Sequence, residues 1–184
     1  MIKYWKLVFI STLFGGCSPP SIEELGHKFF NSPLVYEGLK KMIIADTGDR
    51  NCFTVGTDNI DQYWKSSGSW RHRKDSKTKL TLVDVLDATG ISEQRYAEYL
   101  SLFNKADAER VGYCKDTSYG QWFRVLIYRS GLAVSGCSGT IEWYSEYEPK
   151  QYGKRGRGEF IEVLKLNNNW YAFMEREKIL WQLN

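Results

Sequence analysis

The pattern of apolar and polar positions divides the chain into a helical first part and a strand-rich second part. The motif Ser21-x-x-Glu24 is a capping box, which predicts that a helix begins at Ile22. Ser32 is expected to cap a second helix with Pro33 at its first position, where a missing N–H costs nothing. The apolar face of this second helix is predicted to consist of Val35, Leu39, Met42 and Ile43.

Two more helices are predicted before residue 110. Thr81-x-x-Asp84 is a second capping box, and Gly90 is the expected C-terminal cap of the short helix that it opens. Ser92 is expected to cap the helix that follows. The residues at helical spacing in that helix are Tyr96, Tyr99, Leu100 and Phe103.

Residues 49–79 have the weakest periodicity in the chain, so we interpret them as an irregular segment. Within it, Cys52-Phe53-Thr54-Val55 predicts one strand because it is rich in β-branched and aromatic residues. The basic residues between Arg71 and Lys79 are interpreted as a loop.

After Arg110 the pattern becomes typical of strands. Strands are predicted at Val111 to Lys115, Trp122 to Tyr128, Leu132 to Tyr144, Phe160 to Leu166 and Trp170 to Arg176. Ser130-Gly131 is expected to form a turn, and residues 146–158 a polar loop. Helices first and strands later favour an α+β domain with N-terminal helices packed on an antiparallel, meander-like β-sheet.

The predicted strand at residues 122–128 is apolar on both sides. One side carries Phe123, Val125 and Ile127, and the other carries Trp122, Leu126 and Tyr128. We therefore expect helices on one face of the sheet and at least partial cover on the other.

The beginning of the chain is typical of an export signal. Lys3 and Lys6 precede the apolar run Leu7 to Phe14, which is far shorter than the about 20 apolar residues that cross a bilayer. We predict a signal peptide over residues 1–16, a tether over 17–20 and a single domain over 21–184. Removal of the two lysines lowers the formal net charge from +3 to +1, so the charge balance gives no reason to expect a nucleic-acid partner.

The segment Leu13-Phe14-Gly15-Gly16-Cys17 resembles the lipobox of bacterial lipoproteins, in which the cysteine carries acyl chains such as palmitate. It departs from the usual pattern at Phe14, where that family generally has Leu. Ser18 resembles the signal for sorting to the outer membrane in Gram-negative bacteria. The resemblance implies a lipid anchor at Cys17 and a cell-envelope location, on the outer membrane facing the periplasm. A secreted protein, or a buried N-terminal strand with a chance cysteine, are the alternatives.

Three further segments resemble a group of small uncharacterised lipoproteins of Gram-negative bacteria. They are Arg110-Val111-Gly112-Tyr113, the run from Phe123 to Gly139, and Asn169-Trp170-Tyr171-Ala172-Phe173. These are hairpin motifs, so the resemblance implies a location and a fold and no particular activity.

Few residues are candidates for chemistry. His27 is expected on a helix surface, and His72 lies in a basic run. Cys137, within Ser135 to Gly139, is a candidate nucleophile only if a base lies near it, and the glycines around it are more typical of a bulge. No metal site, no cofactor and no catalytic centre are predicted. The alternative is a hydrolase of envelope polymers that uses Cys137 or a carboxylate.

The leading hypothesis is a non-enzymatic binding, immunity or accessory protein. Its expected contacts with a protein partner are Trp64, Trp70, Arg71 and Arg73, because aromatic residues and arginines in loops are common at binding surfaces. The plainer alternative is that Trp64 and Trp70 cap the core.

The predicted strand pairing restricts which cysteines can form a disulfide. The expected turns place Cys137 opposite Arg124 and Cys114 opposite Phe123. Cys114 and Cys137 would then lie two strands apart, about twice 4.8 Å, and on opposite faces. A disulfide rarely tolerates Cα atoms more than about 7 Å apart, so this pair is not expected. If a bridge forms, the pair Cys52–Cys114 is favoured, which leaves Cys137 as a small buried residue.

Overall fold

A computed structural model describes residues 19–117, 120–132, 135–149, 152–153 and 159–177 of the chain. The predicted signal peptide and Cys17 lie outside these residues. The helices are α1 (Ile22–Asn31), α2 (Pro33–Thr47), α3 (Leu82–Thr89) and α4 (Glu93–Ala106). The strands are β1 (Cys52–Gly56), β2 (Asn59–Ile60), β3 (Tyr63–Ser66), β4 (Ser69–His72), β5 (Asp75–Leu80), β6 (Arg110–Thr117), β7 (Gly120–Leu132), β8 (Ser135–Tyr144), β9 (Tyr152–Gly153), β10 (Glu159–Asn167) and β11 (Trp170–Glu177).

The described strands form one antiparallel sheet in the order β5-β4-β3-β2-β1-β6-β7-β8-β11-β10-β9. Most neighbours in the sheet are also neighbours in sequence, which makes it a meander with a final hairpin of β10 and β11. The predicted α+β fold is confirmed. Its order differs in one respect, since α3 and α4 are inserted between β5 and β6.

Local capping motifs start three of the four described helices as predicted. The Ser21 hydroxyl accepts from the Glu24 N–H at 3.2 Å, and the Glu24 carboxylate accepts from the Ser21 N–H at 2.7 Å. Thr81 and Asp84 form the same reciprocal pair at the start of α3. Ser92 caps α4 at 3.1 Å from the backbone nitrogen of the third helical residue. Each pair satisfies donors that a helix start leaves open.

Ser32 is an exception to the predicted caps. It lies at the N-cap position of α2, and Pro33 follows it as expected, but its side chain makes no capping hydrogen bond. The reason is backbone conformation: Ser32 has φ −146° and ψ 48°, whereas a capping residue is usually extended. The backbone makes the junction instead, because the Ser32 N–H donates to the Phe29 carbonyl and the Ser32 carbonyl accepts from Val35.

The strand predicted at Cys52 to Val55 is confirmed as β1, but the interpretation of the rest of residues 49–79 as irregular with a basic loop is wrong, because β2 to β5 follow there. β2, β3 and β4 have only two to four residues each, too few for an alternating pattern to be seen. The turns between them use positive φ at Asp61 (50°), Ser67 (50°) and Gly68 (78°). β5 is polar and mostly exposed at one end of the strand order. Lysines on such an edge disfavour pairing with another chain.

The helices cover one face of the sheet and bury an aromatic centre. Trp170 packs with ring centroids 5.1 Å from Phe29, 6.4 Å from Tyr36 and 5.6 Å from Phe123. The predicted helical faces point into this core, except that Leu100 remains 38 % exposed. We call the other side of the sheet the open face. Its distal part carries a second, smaller cluster of buried side chains: Tyr144, Ile161, Tyr171 and Phe173.

The predicted register of β7 and β8 is also wrong. Ser130-Gly131 lies within β7, and the pairing continues to Leu132 opposite Ser135. Cys137 is therefore opposite Ser130 and not Arg124. On the other side of β7, an irregularity after Cys114 places this residue opposite Trp122 and not Phe123. A turn shifted along the chain and one irregular position account for both errors.

Candidate binding groove on the open face

The strand pairing places a row of residues side by side across the open face. Residues directly opposite on paired strands point to the same side of a sheet. The row runs through Thr54, Gly112, Arg124, Glu142, Tyr171 and Lys165, on β1, β6, β7, β8, β11 and β10. It therefore joins six strands from distant parts of the sequence.

Gly112 leaves a gap in this row. A Cβ atom at Gly112 would lie 3.3 Å from the Thr54 hydroxyl oxygen and 3.8 Å from the Phe53 carbonyl oxygen. The Thr54 hydroxyl therefore lies close to Gly112, and the backbone of β6 is only partly exposed at this point. A glycine within a strand often marks a place where another group approaches the backbone closely.

A groove of about 560 Å³ lies around this gap. Its lining residues are Thr54, Asn59, Asp61, Gln62, Arg73, Arg110, Gly112, Tyr113, Cys114, Trp122, Arg124 and Leu126. We call it the arginine groove, because three arginines, Arg73, Arg110 and Arg124, line it. It is open to solvent and lined by both polar and apolar side chains, which suits a peptide or a protein loop better than a buried small molecule.

Arg124 is held in one position by two carboxylates. Its Nε donates to Glu142, and its Nη2 donates to Glu175 at 3.2 Å. Glu142 is fully buried and also accepts from the Trp122 indole N–H at 3.0 Å and from the Tyr144 hydroxyl. The Arg124 guanidinium lies 5.2 Å from the Trp122 ring. The groove wall therefore consists of an aromatic ring and an arginine whose orientations are fixed.

The same contacts control the charge of Glu142. Burial alone would raise its pKa, because it disfavours the charged form. The positive charge of Arg124 and the hydrogen bonds from Tyr144, Trp122 and Arg124 oppose this effect, and the pKa of Glu142 lies below its ordinary value. Glu142 is thus a buried carboxylate in its ionised form, positioned to support Arg124.

Arg110 lies on β6, diagonally across from Arg124 on β7, and is paired with Asp58. Its Nη2 donates to Asp58 at 3.0 Å, and Asp58 also accepts from Arg129. Burial would raise the pKa of Asp58, but the hydrogen bonds and charges of the two arginines lower it below its ordinary value. The Nε of Arg110 is buried and has no hydrogen-bond partner among the described residues.

Arg73 is the arginine of the groove that remains available. It lies at the turn between β4 and β5, where its backbone N–H donates to the Gln62 carbonyl at 2.9 Å. Its side chain is exposed, and within the described ranges its guanidinium makes no ion pair or hydrogen bond. Asp61, on the same wall, likewise has no side-chain partner in the described part of the chain.

The structure separates the four residues that were expected to contact a partner. Trp70 is 4 % exposed and belongs to the core, so its prediction as a contact residue is wrong. The reason is alternation: Trp70 and Arg71 are neighbours on one strand and point to opposite faces. Arg71 lies opposite the half-buried Trp64, and its guanidinium donates to the carbonyl of Ser76. Of the four residues, Arg73 lines the groove.

The cysteines follow the favoured pairing. Cys52 and Cys114 lie opposite each other on β1 and β6, with Cα atoms 4.1 Å apart, and form a disulfide. Cys114 also lines the arginine groove, so this bridge fixes one end of it. Cys137 has a free thiol and is only partly buried, whereas a buried position was expected. Cys137 is distant from Cys114 because Cys137 is opposite Ser130 on β7, whereas Cys114 is opposite Trp122 near the start of that strand.

The structure does not bring together the residues of the nucleophile hypothesis. His72 is on β4 and Cys137 is on β8, six positions apart in the strand order. At about 4.8 Å per position this is about 29 Å along the sheet. His72 packs on the Tyr63 ring at 4.9 Å and accepts a hydrogen bond from the Lys74 backbone. His27 is exposed on α1, as expected.

Sequence reasoning missed most of the groove. Arg124 and Glu142 each interrupt a run of apolar residues in a central strand, and a charged residue at such a position is a signal for a buried ion pair. The sequence around Gly112 contains no comparable signal for a groove, because the place of Gly112 in the groove depends on the pairing of β6 with β1 and β7.

No group of three or more His, Cys, Asp or Glu side chains in the described residues is placed to hold a metal ion. Within the same residues, no helix has the length and apolar character needed to cross a bilayer. No family model, no curated protein and no solved structure matches the chain.

Proposed function

We propose that this chain is a lipid-anchored protein of the cell envelope that binds a protein partner through the arginine groove. The observation that carries the proposal is the groove itself, which combines an exposed Arg73, a fixed Arg124 beside Trp122 and a partly exposed backbone at Gly112. Arginine and tryptophan are the residue types most enriched at the energetic centres of protein interfaces. The partner is either a toxin that acts in the periplasm, with this chain as its immunity protein, or another envelope component.

The Cys52–Cys114 disulfide supports the proposed location. Stable disulfides belong to oxidising compartments such as the bacterial periplasm and are rare in the cytosol. The bridge joins two strands at a distance of 62 residues in sequence and has one exposed member, Cys52. It agrees with the export signal and lipobox that the residues up to Cys17 resemble.

The positions of the individual side chains favour binding over the alternative of a hydrolase. His72 is six strand positions away from Cys137, and within the described residues the exposed His27 makes no hydrogen bond with the Cys137 thiol. Glu142 is fully buried and accepts hydrogen bonds from Trp122, Arg124, Thr140 and Tyr144, so its carboxylate is not exposed to a substrate. The proposal therefore assigns these groups to packing and orientation.

The location is tested with Cys17→Ser in the full chain, expressed in a Gram-negative host and fractionated. One acyl chain gives marginal membrane binding and several together hold firmly, so loss of the modification should release the protein from the membrane fraction or block its processing. Unchanged membrane association together with an unchanged mature mass would contradict a lipid anchor at Cys17.

The binding surface is tested by affinity capture from envelope extracts with Arg73→Glu and Lys74→Glu. Both variants change charge by the same amount in the same exposed turn, but only Arg73 lines the groove. We expect Arg73→Glu to lose a captured protein that the wild type and Lys74→Glu both retain. Equal retention by both variants would exclude the groove as the contact surface.

A further inference from the structure

We infer that the arginine groove recognises an acidic side chain presented by a polypeptide, with Arg73 as the residue that contacts the carboxylate. The inference rests on the proposed function and specifies the chemistry of the partner at that site. It depends on which charges of the groove are already neutralised by neighbours and which are available to a ligand.

Two of the three arginines are neutralised within the protein. Arg124 is shared by Glu142 and Glu175, and Arg110 by Asp58. Their guanidinium groups are held as fixed walls, and their charges are largely balanced. Arg73 has no such partner among the described residues, and its exposed guanidinium offers N–H donors in the fork geometry that matches a carboxylate.

The carboxylates of the groove discriminate between kinds of anion. Asp61 lines the same wall as Arg73, and Asp58 lies behind Arg110. A phosphate group, with a charge near −2, is repelled by these carboxylates more strongly than a carboxylate with a charge of −1. Arg73 is the arginine of the groove that has no ion-pair partner among the described residues, so one carboxylate balances the available charge, whereas a phosphate leaves a second negative charge near Asp61.

The remaining polar groups of the groove match a peptide backbone. Asp61 offers carboxylate oxygens to an N–H donor, and Gln62 adds an amide on the same rim. The Asn59 side chain donates to the Tyr63 carbonyl at 2.9 Å, which fixes the rim and leaves the amide oxygen as an acceptor. An extended segment that lies in the groove passes over Gly112 on β6, beside the Thr54 hydroxyl. A Glu or Asp with peptide groups on either side satisfies both the free cation and these acceptors.

The test uses the full chain in mild detergent and three probes: a ten-residue peptide of alternating Glu and Gly, the same peptide with Gln in place of Glu, and inorganic phosphate. Binding is followed by the NMR shifts of the Gly112 amide and of the Arg73 Nε–H. We expect the Glu peptide to shift both signals and the Gln peptide to shift neither. Phosphate is expected to bind more weakly than the Glu peptide.

Two matched variants complete the test. Arg73→Gln should weaken the Glu peptide about tenfold or more, because it removes a charge-assisted hydrogen bond. Lys74→Gln removes the same charge one residue away and should change the affinity less than about twofold, because Lys74 is exposed and does not line the groove. Equal losses in both variants, tighter binding of phosphate, or no shift at Gly112 with any probe would each overturn the inference. Capture by the wild type that is lost in Arg73→Glu would still support the proposed function in that case.

Discussion

Arg124 and Glu142 lie directly opposite each other on β7 and β8, and the guanidinium Nε of Arg124 donates to the fully buried carboxylate of Glu142. The pair is on the face of the sheet that the helices do not cover. It links the groove wall at Trp122 to the second apolar cluster at Tyr144. The orientation of the groove therefore depends on a buried ion pair.

Glu142→Gln should lower the free energy of unfolding by about 3 kcal/mol, which is at the low end of the range for breaking a buried ion pair. The low end is expected because Arg124 still has its ion pair with Glu175 in the variant. A glutamine also places an NH2 group among side chains that are all donors. Urea unfolding measures the change. The control is Glu98→Gln, which breaks an exposed pair with Arg95 and should cost no more than about 0.5 kcal/mol. Equal, small effects of both variants would show that the buried pair is not important for stability.

The Arg124–Glu142 ion pair should also make the free energy of unfolding depend on pH. The pKa of Glu142 is lower in the folded chain than its ordinary value of 4.5, so the unfolded chain binds the proton more readily. Its contribution to stability is present above about pH 4.5 and is lost as the pH falls through the folded value. Between pH 7 and pH 3 the wild type should lose more stability than Glu142→Gln. Parallel curves for the two proteins would contradict the lowered pKa.

The Cys52–Cys114 disulfide should contribute about 2–4 kcal/mol, since it closes a long loop in the unfolded chain. Reduction with dithiothreitol should lower the urea midpoint of the wild type to that of the double variant Cys52→Ser, Cys114→Ser. Cys137→Ser keeps the bridge and should respond to the reductant as the wild type does. A wild-type midpoint that is insensitive to reduction would mean that the bridge does not form.

Tyr36 and Tyr99 form a matched pair of buried tyrosines. The Tyr36 hydroxyl has no hydrogen-bond partner among the described residues, whereas the Tyr99 hydroxyl donates to Asp46 at 2.7 Å. Tyr36→Phe should raise the free energy of unfolding by about 1 kcal/mol, because it removes a buried unsatisfied group. Tyr99→Phe should lower it by about 1.5–3 kcal/mol, the range for a hydrogen bond to a charged group. The opposite order in urea unfolding would refute this assignment.

Local features of the fold were predictable from the sequence, and non-local ones were not. Ser21 with Glu24 and Thr81 with Asp84 act across three residues, so the sequence contains the whole motif. The register of Cys137 depends on where the chain turns after β7, and a shift of the turn along the chain changes every opposing pair.

The groove was less predictable for the same reason. Thr54, Gly112 and Arg124 are far apart in sequence and become neighbours only when β1, β6 and β7 pair. The expected binding residue Trp70 is buried because short strands alternate between faces, which a composition-based argument cannot show. Arg73 was identified from its residue type alone, and the structure adds the neighbours that define the groove.

Binding of a protein partner in the arginine groove is tested most directly by site-specific photo-crosslinking of the full chain in intact cell envelopes. In one variant the photoreactive residue replaces Gln62, which lines the arginine groove. In the control variant it replaces Lys41, which is exposed on α2, on the side of the sheet that the helices cover. We expect a discrete protein adduct from position 62, lost when Arg73→Glu is added, and none from position 41. An adduct from position 41 with none from position 62 would contradict it.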